Sequence, residues 1–466
     1  APEPANRKTQ PSVIVIGAGF AGLSAADELH ALGCKVVVLE GRDRIGGRCW
    51  TDKSLDGRTV DLGAGWIHGI VGNPLAELAR RKGVELCNIP ADTLIHDADG
   101  VVYSEETDRK IELLFNQFLQ RAQKEVGTGS QKSDQSLGGL LDRMIASDDS
   151  LDDARELQLF NWHCANIEYS TATDIHNLSA RNWALDDENA FDGDHCLLKS
   201  GYCALAEHLA QGLDIRLNSK VKVIEHGKEG QQAACKVTLE DGRTLSSDIV
   251  VLTVPLGVLK SKSIAFYPQL PRWKQAAIDK LGFGVLNKVV LAFSKIFWQR
   301  ATPIGKYIGY ASERKGQFYL FIDITDCASK PTLLALISGS MAKELEVTPD
   351  DEVVREAMKV LEKVVGEGAC EQPCGYKITR WGQDPFAMGS YSYVAIGCTP
   401  EDMDALARPL DHNRLFFAGE HTNSEHPSTV HGAFISGRRV ARELLVSWHG
   451  HGEVREGSRC VEFPLR

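Results

Sequence analysis

Three glycines near the start of the chain have the spacing of a phosphate-binding turn. Gly17, Gly19 and Gly22 form G-x-G-x-x-G. In this pattern the first glycine permits a tight turn, the second lets the backbone approach a pyrophosphate, and the third lets a helix pack on a strand. Glu40 follows about 20 residues later, where a carboxylate accepts from both ribose hydroxyls and repels a 2′-phosphate. These residues predict a dinucleotide site for FAD or NAD and disfavour NADP.

The flanking segments are the elements that would position this turn. Residues 13–16 (VIVI) are fully apolar, as in a central strand of a parallel sheet covered on both faces. A helix is predicted over residues 21–32, because its apolar side chains recur at helical spacing and Gly33 ends it. Residues 35–40 (KVVVLE) predict the next strand. The helix N terminus would then direct free N–H groups at the pyrophosphate.

A lysine, Lys288, interrupts a second apolar strand pattern, LNKVVL. Burying an ammonium group costs several kcal/mol unless the group is deprotonated or partnered. Lys288 is therefore a candidate for proton chemistry. The alternative is a structural side chain that reaches solvent from a strand edge.

Acidic residues cluster in a third segment. Asp186, Asp187 and Glu188 are consecutive, and Asp192 and Asp194 follow closely. In a cavity they would attract a polyamine or a lysine-rich peptide tail, whereas on a loop they would simply be solvated. The net charge of −11 agrees with a cationic substrate and disfavours nucleic acid or an anionic membrane as the main partner, although such a charge also serves solubility.

Length and composition limit the remaining possibilities. A chain of 466 residues is too long for one ordinary core, and 43% hydrophobic with 25% charged residues is typical of globular proteins. No apolar run approaches the ~18–20 residues of a membrane span. The twelve cysteines are scattered; Cys370 and Cys374 have no second pair at zinc spacing, while Cys34, Cys203 and Cys235 fit small buried hydrophobes. This pattern predicts no metal site and indicates a reducing compartment.

Several sequence blocks resemble the flavin-containing amine oxidase family, which comprises polyamine oxidases, monoamine oxidases and lysine-specific histone demethylases. After the turn come GRDRIGGRCW and DLGAGWIHG. They are followed, in the family's order and over nearly the whole chain, by LNSKVKVIEH, DIVVLTVPLGVLK, FGVLNKVVLAF, RWGQDPFAMGSYSYV and RLFFAGEHTNSEHPSTVHGAFISGRRVA. The resemblance implies FAD rather than NAD.

The resemblance also implies which residues contact the cofactor. They are Gly17, Gly19, Gly22, Glu40, Arg42, Gly46, Gly47, Arg48, Gly65, Trp66, Val221, Trp381, Gly419, Glu420, Thr429 and Val430. Arg48 would turn toward phosphates or the isoalloxazine edge. A helix beginning near Thr429 would face flavin oxygens with its free N–H groups. Because EHPSTVHG lacks the cysteine that bonds flavin in monoamine oxidases, we expect non-covalent FAD.

For the reaction, the resemblance implies that Lys288 holds a water near flavin N5. His68 stands in WIHG, the version found in animal polyamine and spermine oxidases, where it could hydrogen-bond a substrate nitrogen or accept its proton. A structural histidine is the alternative. Trp381 and Tyr391 would form aromatic walls, although alternation puts Tyr391 and Tyr393 on one face, so at least one of them should be structural. The remaining expected substrate contacts are Asp187, Glu188 and Glu168, the last as a tunnel acid.

Other subclasses stay open. The blocks SARNWALDDENAFDGDHCLLKSGY, SYSYVAIG and PSTVHGA resemble the histone demethylases, but the sequence shows neither their long helical-hairpin insertion nor their extra N-terminal module. An L-amino acid oxidase would need an arginine clamp for the carboxylate, and none is identified. A flavin-bound scaffold without turnover is disfavoured by the intact Lys288 and Glu420.

The implied fold is α/β, with a Rossmann-like FAD-binding domain and a mixed α+β substrate-binding domain interleaved in sequence. We expect the first over residues 11–75, 196–270 and 375–445, the second over 76–195 and 271–374, and a polar tail over 446–466.

The expected function is FAD-dependent oxidation of spermine, spermidine or their N-acetylated forms. Hydride transfer to flavin N5 would yield an imine and then an aldehyde, a shorter amine and, with O₂, H₂O₂. The alternative is a demethylase-like oxidase, lacking the helical hairpin, that acts on methylated lysine in peptides. No secretory or clear peroxisomal signal is evident, so we expect a cytoplasmic or nuclear location. The oligomeric state is not indicated.

Overall fold

The computed structural model describes residues 10–127, 133–148, 151, 153–227, 235–303, 305–366 and 368–449. The strands, numbered in chain order, are β1 (Ser12–Ile16), β2 (Lys35–Leu39), β3 (Thr51–Asp52), β4 (Val60–Asp61), β5 (Leu86–Asn88), β6 (Thr93–His96), β7 (Cys196–Leu198), β8 (Asp214–Arg216), β9 (Val221–Glu225), β10 (Cys235–Leu239), β11 (Thr244–Ser247), β12 (Ile249–Leu252), β13 (Ala265–Tyr267), β14 (Gly282–Phe283), β15 (Leu286–Ala292), β16 (Tyr307–Tyr310), β17 (Leu320–Asp323), β18 (Thr332–Ser338), β19 (Gly375–Ile378), β20 (Ser392–Tyr393) and β21 (Leu415–Phe417).

The α-helices are numbered in the same way. They are α1 (Phe20–Ala31), α2 (Pro74–Lys82), α3 (Glu105–Val126), α4 (Leu137–Ile145), α5 (Ala154–Thr171), α6 (Cys203–Leu209), α7 (Leu256–Lys260), α8 (Arg272–Lys280), α9 (Thr325–Ala328), α10 (Gly339–Val347), α11 (Asp350–Val365), α12 (Pro400–Ala407) and α13 (Val430–His449). Because α13 extends to His449, the first residues of the predicted tail are helical; residues 450–466 lie outside the described residues.

A five-stranded parallel sheet carries the glycine-rich turn. Its order is β21-β12-β1-β2-β8, so strands from both ends and the middle of the chain meet in it. Along β1, Val13 and Val15 pack in one buried apolar cluster, and Ile14 and Ile16 pack in another. Both faces are thus covered, which explains the unbroken apolar run. The β1–α1–β2 unit confirms the predicted Rossmann-like arrangement, with boundaries one residue from those expected.

A six-stranded sheet forms the second layer, in the order β19-β15-β18-β17-β16-β6. Every residue of β15 is buried because β18 and β19 pair with it on either side. Lys288 lies on this strand, opposite Leu336 of β18. The sheet includes residues 375–378, so it extends past the expected domain boundary at residue 375. The other domain limits stay predictions.

The two ends of the chain pack directly on one another. The Ser24 hydroxyl of α1 donates to the backbone oxygen of Phe434 in α13 at 2.8 Å. A Cβ at Gly437 would lie 2.2 Å from the backbone oxygen of Ala21, so only glycine permits this approach. The last helix therefore fixes the helix that follows the glycine-rich turn.

The sequence predicted isolated cysteine thiols, but two of the cysteines are bonded to each other. Cys87 and Cys327 form a disulfide with their Cα atoms 6.2 Å apart, so the inference of a reducing compartment from isolated thiols loses its basis. Cys34 and Cys235 are buried, as expected, whereas Cys203 is half-buried. In the described ranges no group of metal-ligating side chains comes together. None of the described helices is both long and apolar enough to cross a membrane.

Candidate active site

A cavity of about 650 Å³ runs between the two sheets and gathers most of the predicted site residues. Those that line it are Gly17, Gly19, Glu40, Arg42, Gly46, Gly47, Arg48, Gly65, Trp66, His68, Asp187, Val221, Lys288, Trp381, Tyr391, Gly419, Glu420, Thr429 and Val430. Gly22, Glu168 and Glu188 do not line it. The cavity therefore brings the expected cofactor and substrate residues into one continuous space.

The glycine-rich turn has the shape that a pyrophosphate requires. A Cβ at Gly22 would lie 1.9 Å from the backbone oxygen of Gly17, so this glycine serves the packing of α1 on the turn rather than the cavity wall. At Gly19 the nearest atom to such a Cβ is 4.0 Å away, on Gly47, which leaves this side of the turn open. The N terminus of α1 begins at Phe20, next to the open side. The turn thus fits a dinucleotide.

Glu40 is held at the end of β2 by backbone groups. Its Oε2 accepts from Ala18 N at 2.8 Å and its Oε1 from Arg42 N at 2.9 Å. Each carboxylate oxygen keeps a further lone pair, so a ribose hydroxyl can still be bound. Arg42 itself is engaged by both carboxylate oxygens of Asp384 at 2.7 Å, which compensates its charge. Glu40 therefore fits the ribose, and Arg42 supports the wall beside it.

Arg48 lines the cavity and also forms an ion pair with Glu420. Its Nη1 lies 2.9 Å from Glu420 Oε1 and donates to the backbone oxygen of Ser390 at 2.9 Å. Glu420 Oε2 accepts from Ser392 Oγ at 2.5 Å and from Ser428 N at 3.1 Å. Burial alone would raise the pKa of Glu420, but the charge of Arg48 and the hydrogen bonds lower it below its ordinary value. The carboxylate is therefore ionised, and the pair joins the N-terminal and C-terminal flavin segments.

The residue before α13 caps that helix toward the cavity. Thr429 Oγ1 accepts from Gly432 N at 3.0 Å, as an N-cap residue does. The helix begins at Val430, one residue after the expected start. Since both Thr429 and Val430 line the cavity, the free N–H groups of this helix end lie beside the space for the cofactor.

Lys288 is buried in the cavity wall, with 4% of its surface exposed. Its Nζ donates to the backbone oxygen of Asp61 at 2.8 Å and lies 5.3 Å from the centre of the Trp66 ring. Burial lowers the pKa of Lys288 to about 8, although the Asp61 charge opposes this shift. The amine is therefore partly neutral near physiological pH and can exchange protons.

Asp61 was not anticipated among the site residues. Its carboxylate accepts from Thr51 Oγ1 at 2.6 Å and from Tyr202 N at 3.0 Å. Burial raises the pKa of Asp61 to about 6, while Thr51 and Lys288 pull it down. In the sequence, Asp61 directly follows Val60 and precedes LGAG. This acidic residue between an apolar residue and a glycine-containing segment is the signal that could have identified it.

His68 lies in a group of imidazoles along one wall of the cavity. The ring of His195 is 5.3 Å away between centroids, and His426 and His431 line the same cavity. His68 is exposed to the cavity, whose surrounding protein desolvates the ring and lowers the pKa of His68 to about 4. Desolvation likewise lowers the pKa of His431 to about 3. At neutral pH His68 and His431 are therefore uncharged and leave hydrogen-bonding nitrogens for a substrate.

Two aromatic side chains line the cavity as expected. Trp381 is fixed by its indole N–H, which donates to Leu62 O at 3.0 Å. The Tyr391 hydroxyl donates to Tyr169 O at 2.5 Å. Tyr393 instead packs on Gly282, where an added Cβ would lie 2.3 Å from the tyrosine ring. Tyr391 is thus the cavity residue of the pair, and Tyr393 is the structural one.

The predicted acids divide into two groups. Asp186 and Asp187 line the cavity without an ion pair to any described residue, and burial raises the pKa of both. Glu188 is exposed outside the cavity. Glu168 corrects the expectation of a tunnel acid, because it is buried, lies 2.7 Å from Lys315 Nζ and accepts from Ile175 N at 3.0 Å. Lys315 therefore compensates the Glu168 charge inside the protein.

Known proteins resemble the chain in sequence and in fold. It is 39% identical over 445 residues to "Lysine-specific histone demethylase 1 homolog 2" of Arabidopsis thaliana, covering 94% of this chain and 59% of the relative. It is 38% identical to "Lysine-specific histone demethylase 1 homolog 3" of Oryza sativa subsp. indica, covering 99% and 56%. The chain thus spans little more than half the length of these curated relatives.

A solved structure of putrescine oxidase bound to putrescine superposes with a TM-score of 0.75 at 22% identity, covering 94% of this chain and 99% of the other. The amine oxidase fold is therefore shared. The profile described as "Flavin containing amine oxidoreductase" matches residues 20–445. The cavity accordingly fits FAD, and the chain is a member of the flavin-containing amine oxidoreductase family.

Proposed function

We propose that this protein oxidises a polyamine such as spermine, spermidine or an N-acetylated form. The observation that carries the proposal is the pair of carboxylates, Asp186 and Asp187, which line the cavity of an amine oxidoreductase without an ion pair to a described residue. Uncompensated carboxylates in a cleft attract cations. A polyamine presents several such charges along one flexible chain.

The chain's own residues have distinct tasks in this reaction. FAD, which cavity residues such as Gly19, Glu40 and Thr429 would hold, would supply the acceptor for the hydride beside the amine nitrogen and would pass the two electrons to O₂. Trp381 and Tyr391 orient the alkyl chain between rigid aromatic surfaces. His68, neutral in its desolvated position, hydrogen-bonds the substrate nitrogen, because a group with a pKa of about 4 is too weak a base to deprotonate an ammonium group. Lys288, with a pKa of about 8, is the amine that exchanges protons.

A second candidate is oxidation of methylated lysine in a peptide. It is favoured by relatives 36–39% identical over nearly the whole chain that are named histone demethylases. Both substrates are cationic alkyl amines, so the acidic cavity wall suits either of them.

An amine panel with product identification tests the proposal. Spermine, spermidine, N-acetylated spermine, putrescine and a dimethyl-lysine peptide are compared by kcat/KM and by mass spectrometry of the products. We expect one of the polyamines to give the highest kcat/KM and to yield an aldehyde and a shorter amine. Turnover of the peptide with no polyamine oxidation would instead establish the second candidate.

A matched pair of variants tests the role of the acids. Removing the Asp187 charge by Asp187→Asn should lower kcat/KM for spermine roughly fivefold, about 1 kcal/mol of attraction at a partly solvated site. A monoamine should lose less. Glu188→Gln, one residue along but outside the cavity, should leave both values unchanged. Equal losses in the two variants would contradict local recognition by the cavity wall.

A further inference from the structure

Asp61 stands beside the candidate catalytic lysine without lining the cavity. It ends β4, which pairs with β3, so that Asp61 is opposite Thr51. The hydrogen bonds from Thr51 and from Tyr202 N hold its carboxylate in place. Asp61 is half-buried and has no cavity contact, so it has no direct part in binding substrate or cofactor, and its position calls for another function.

The backbone and side chain of Asp61 act on Lys288 in different ways. The backbone oxygen accepts a hydrogen bond from Lys288 Nζ at 2.8 Å, which fixes the direction of the amine. The carboxylate makes no ion pair with Nζ within 4.0 Å in the described residues, so it acts on the lysine only through its charge. In a desolvated region such a charge is weakly screened and favours the ammonium form.

Cys49 and Tyr202, which interact electrostatically with this pair, are uncharged, whereas the cationic Arg44 and Arg48 act on Cys49. Burial raises the pKa of the Cys49 thiol, and the same cause raises that of the Tyr202 phenol, so both stay protonated around neutral pH. Asp61 is thus the anionic group that opposes the desolvation of Lys288. The aromatic ring of Trp66 adds a smaller preference for the cation.

We propose that Asp61 is a positioning residue that sets the proton occupancy of Lys288 from outside the cavity. Its carboxylate keeps a fraction of the lysine protonated, and its backbone oxygen keeps the amine aimed at one place. The kinetic consequence rests on the proposed function, but the proton equilibrium itself is measured without turnover.

The test is a titration of the lysine in the FAD-loaded protein. ¹³C NMR of protein labelled at the lysine ε-carbons follows each amine with pH, and Lys288→Met assigns the signal. Asp61→Asn keeps the shape of the side chain and removes its charge. We expect the pKa of Lys288 to fall by about one unit, which raises the ratio of neutral to charged amine about tenfold at a given pH. Asp52→Asn is the control, because Asp52 faces Lys377 at 3.6 Å instead.

A kinetic series separates this proposal from the proposed function. The pH dependence of flavin reduction should shift to lower pH in Asp61→Asn, and the double variant with Lys288→Met should behave as Lys288→Met alone. If no amine is oxidised, the NMR shift still decides the matter. An unchanged Lys288 titration in Asp61→Asn overturns the proposal. Should that variant fail to fold, Asp61→Ser replaces it, because it also removes the charge; a fall in the pKa of Lys288 is expected, and no shift contradicts the proposal.

Discussion

The ion pair between Arg48 and Glu420 offers the sharpest test of how the flavin segments hold together. The Glu420 side chain is 5% exposed and Arg48 21% exposed, so the carboxylate is the more desolvated partner. Glu420→Gln preserves volume but replaces one acceptor oxygen with an amide N–H₂ group. This group faces Arg48 on one side or Ser392 and Ser428 on the other. In either orientation a donor meets a donor.

The size of the effect follows from these contacts. Breaking one partner of a buried, hydrogen-bonded ion pair costs about 3–5 kcal/mol in the free energy of unfolding. Arg48→Met should cost a similar amount, because it leaves the Glu420 charge buried with neutral donors only. The double variant leaves no unpaired charge, so we expect it to cost about 2–3 kcal/mol less than the sum of the single variants.

The assay is urea unfolding at saturating FAD, followed by circular dichroism. The dissociation constant of FAD is measured for each variant, because bound cofactor adds RT ln(1 + [FAD]/Kd) to stability and both residues line the cavity. The Lys220–Glu240 pair, whose side chains are 43% and 59% exposed, is the control cycle and should give weaker coupling. Losses that add within about 0.5 kcal/mol at Arg48 and Glu420 would refute the reasoning.

The same pair predicts a dependence on pH. The pKa of Glu420 is lowered in the folded protein, so its contribution is fully present above the ordinary glutamate value near 4.5. It is lost as the pH falls through the lower, folded-state pKa. The stability difference between the wild type and Glu420→Gln should therefore shrink in acid. A difference that is constant down to pH 3 would contradict an ionised, paired carboxylate.

Four further outcomes are expected. Gly22→Ala should prevent FAD binding, because its Cβ would lie 1.9 Å from Gly17 O; the flavin absorbance of the purified protein checks this. Lys288→Met should severely slow flavin reduction or reoxidation in stopped flow, and unchanged rates would remove the lysine from the mechanism. kcat/KM should rise from pH 6 to 9 as the substrate and Lys288, with a pKa of about 8, lose protons, while His68, with a pKa of about 4, stays neutral; a flat profile contradicts this. Acid precipitation should release FAD into the supernatant, whereas flavin retained in the pellet would indicate a covalent bond.

The parts that sequence predicted well are those with local signals. The β1–α1–β2 unit was predictable because apolar runs, glycine spacing and Glu40 lie within one short stretch of chain. Lys288 was identifiable because burying an ammonium group in an apolar strand costs free energy unless the group is deprotonated or partnered. Its burial within β15 bears out that pattern.

The parts that sequence missed depend on contacts between distant segments. Glu168 has the residue type of a tunnel acid, but Lys315 on another part of the chain neutralises it. The Cys87–Cys327 disulfide joins residues 240 positions apart, and no spacing rule predicts such a pair. The ion pair of Arg48 with Glu420 likewise joins segments that are distant in the sequence. Each outcome was decided by which segments the two sheets bring together.

The packing of α13 on α1 has a consequence for how the protein is made. A ribosome releases the glycine-rich turn early, but the strand beside β12 and the helix that covers α1 come only with residues 415–449. Until then, the turn lacks Glu420, Thr429 and the contact between Ser24 and Phe434. We therefore expect stable FAD binding only after residues 415–449 have been made. A nascent chain stalled before β21 would contain the complete nucleotide motif and still have no cradle in which to keep the flavin.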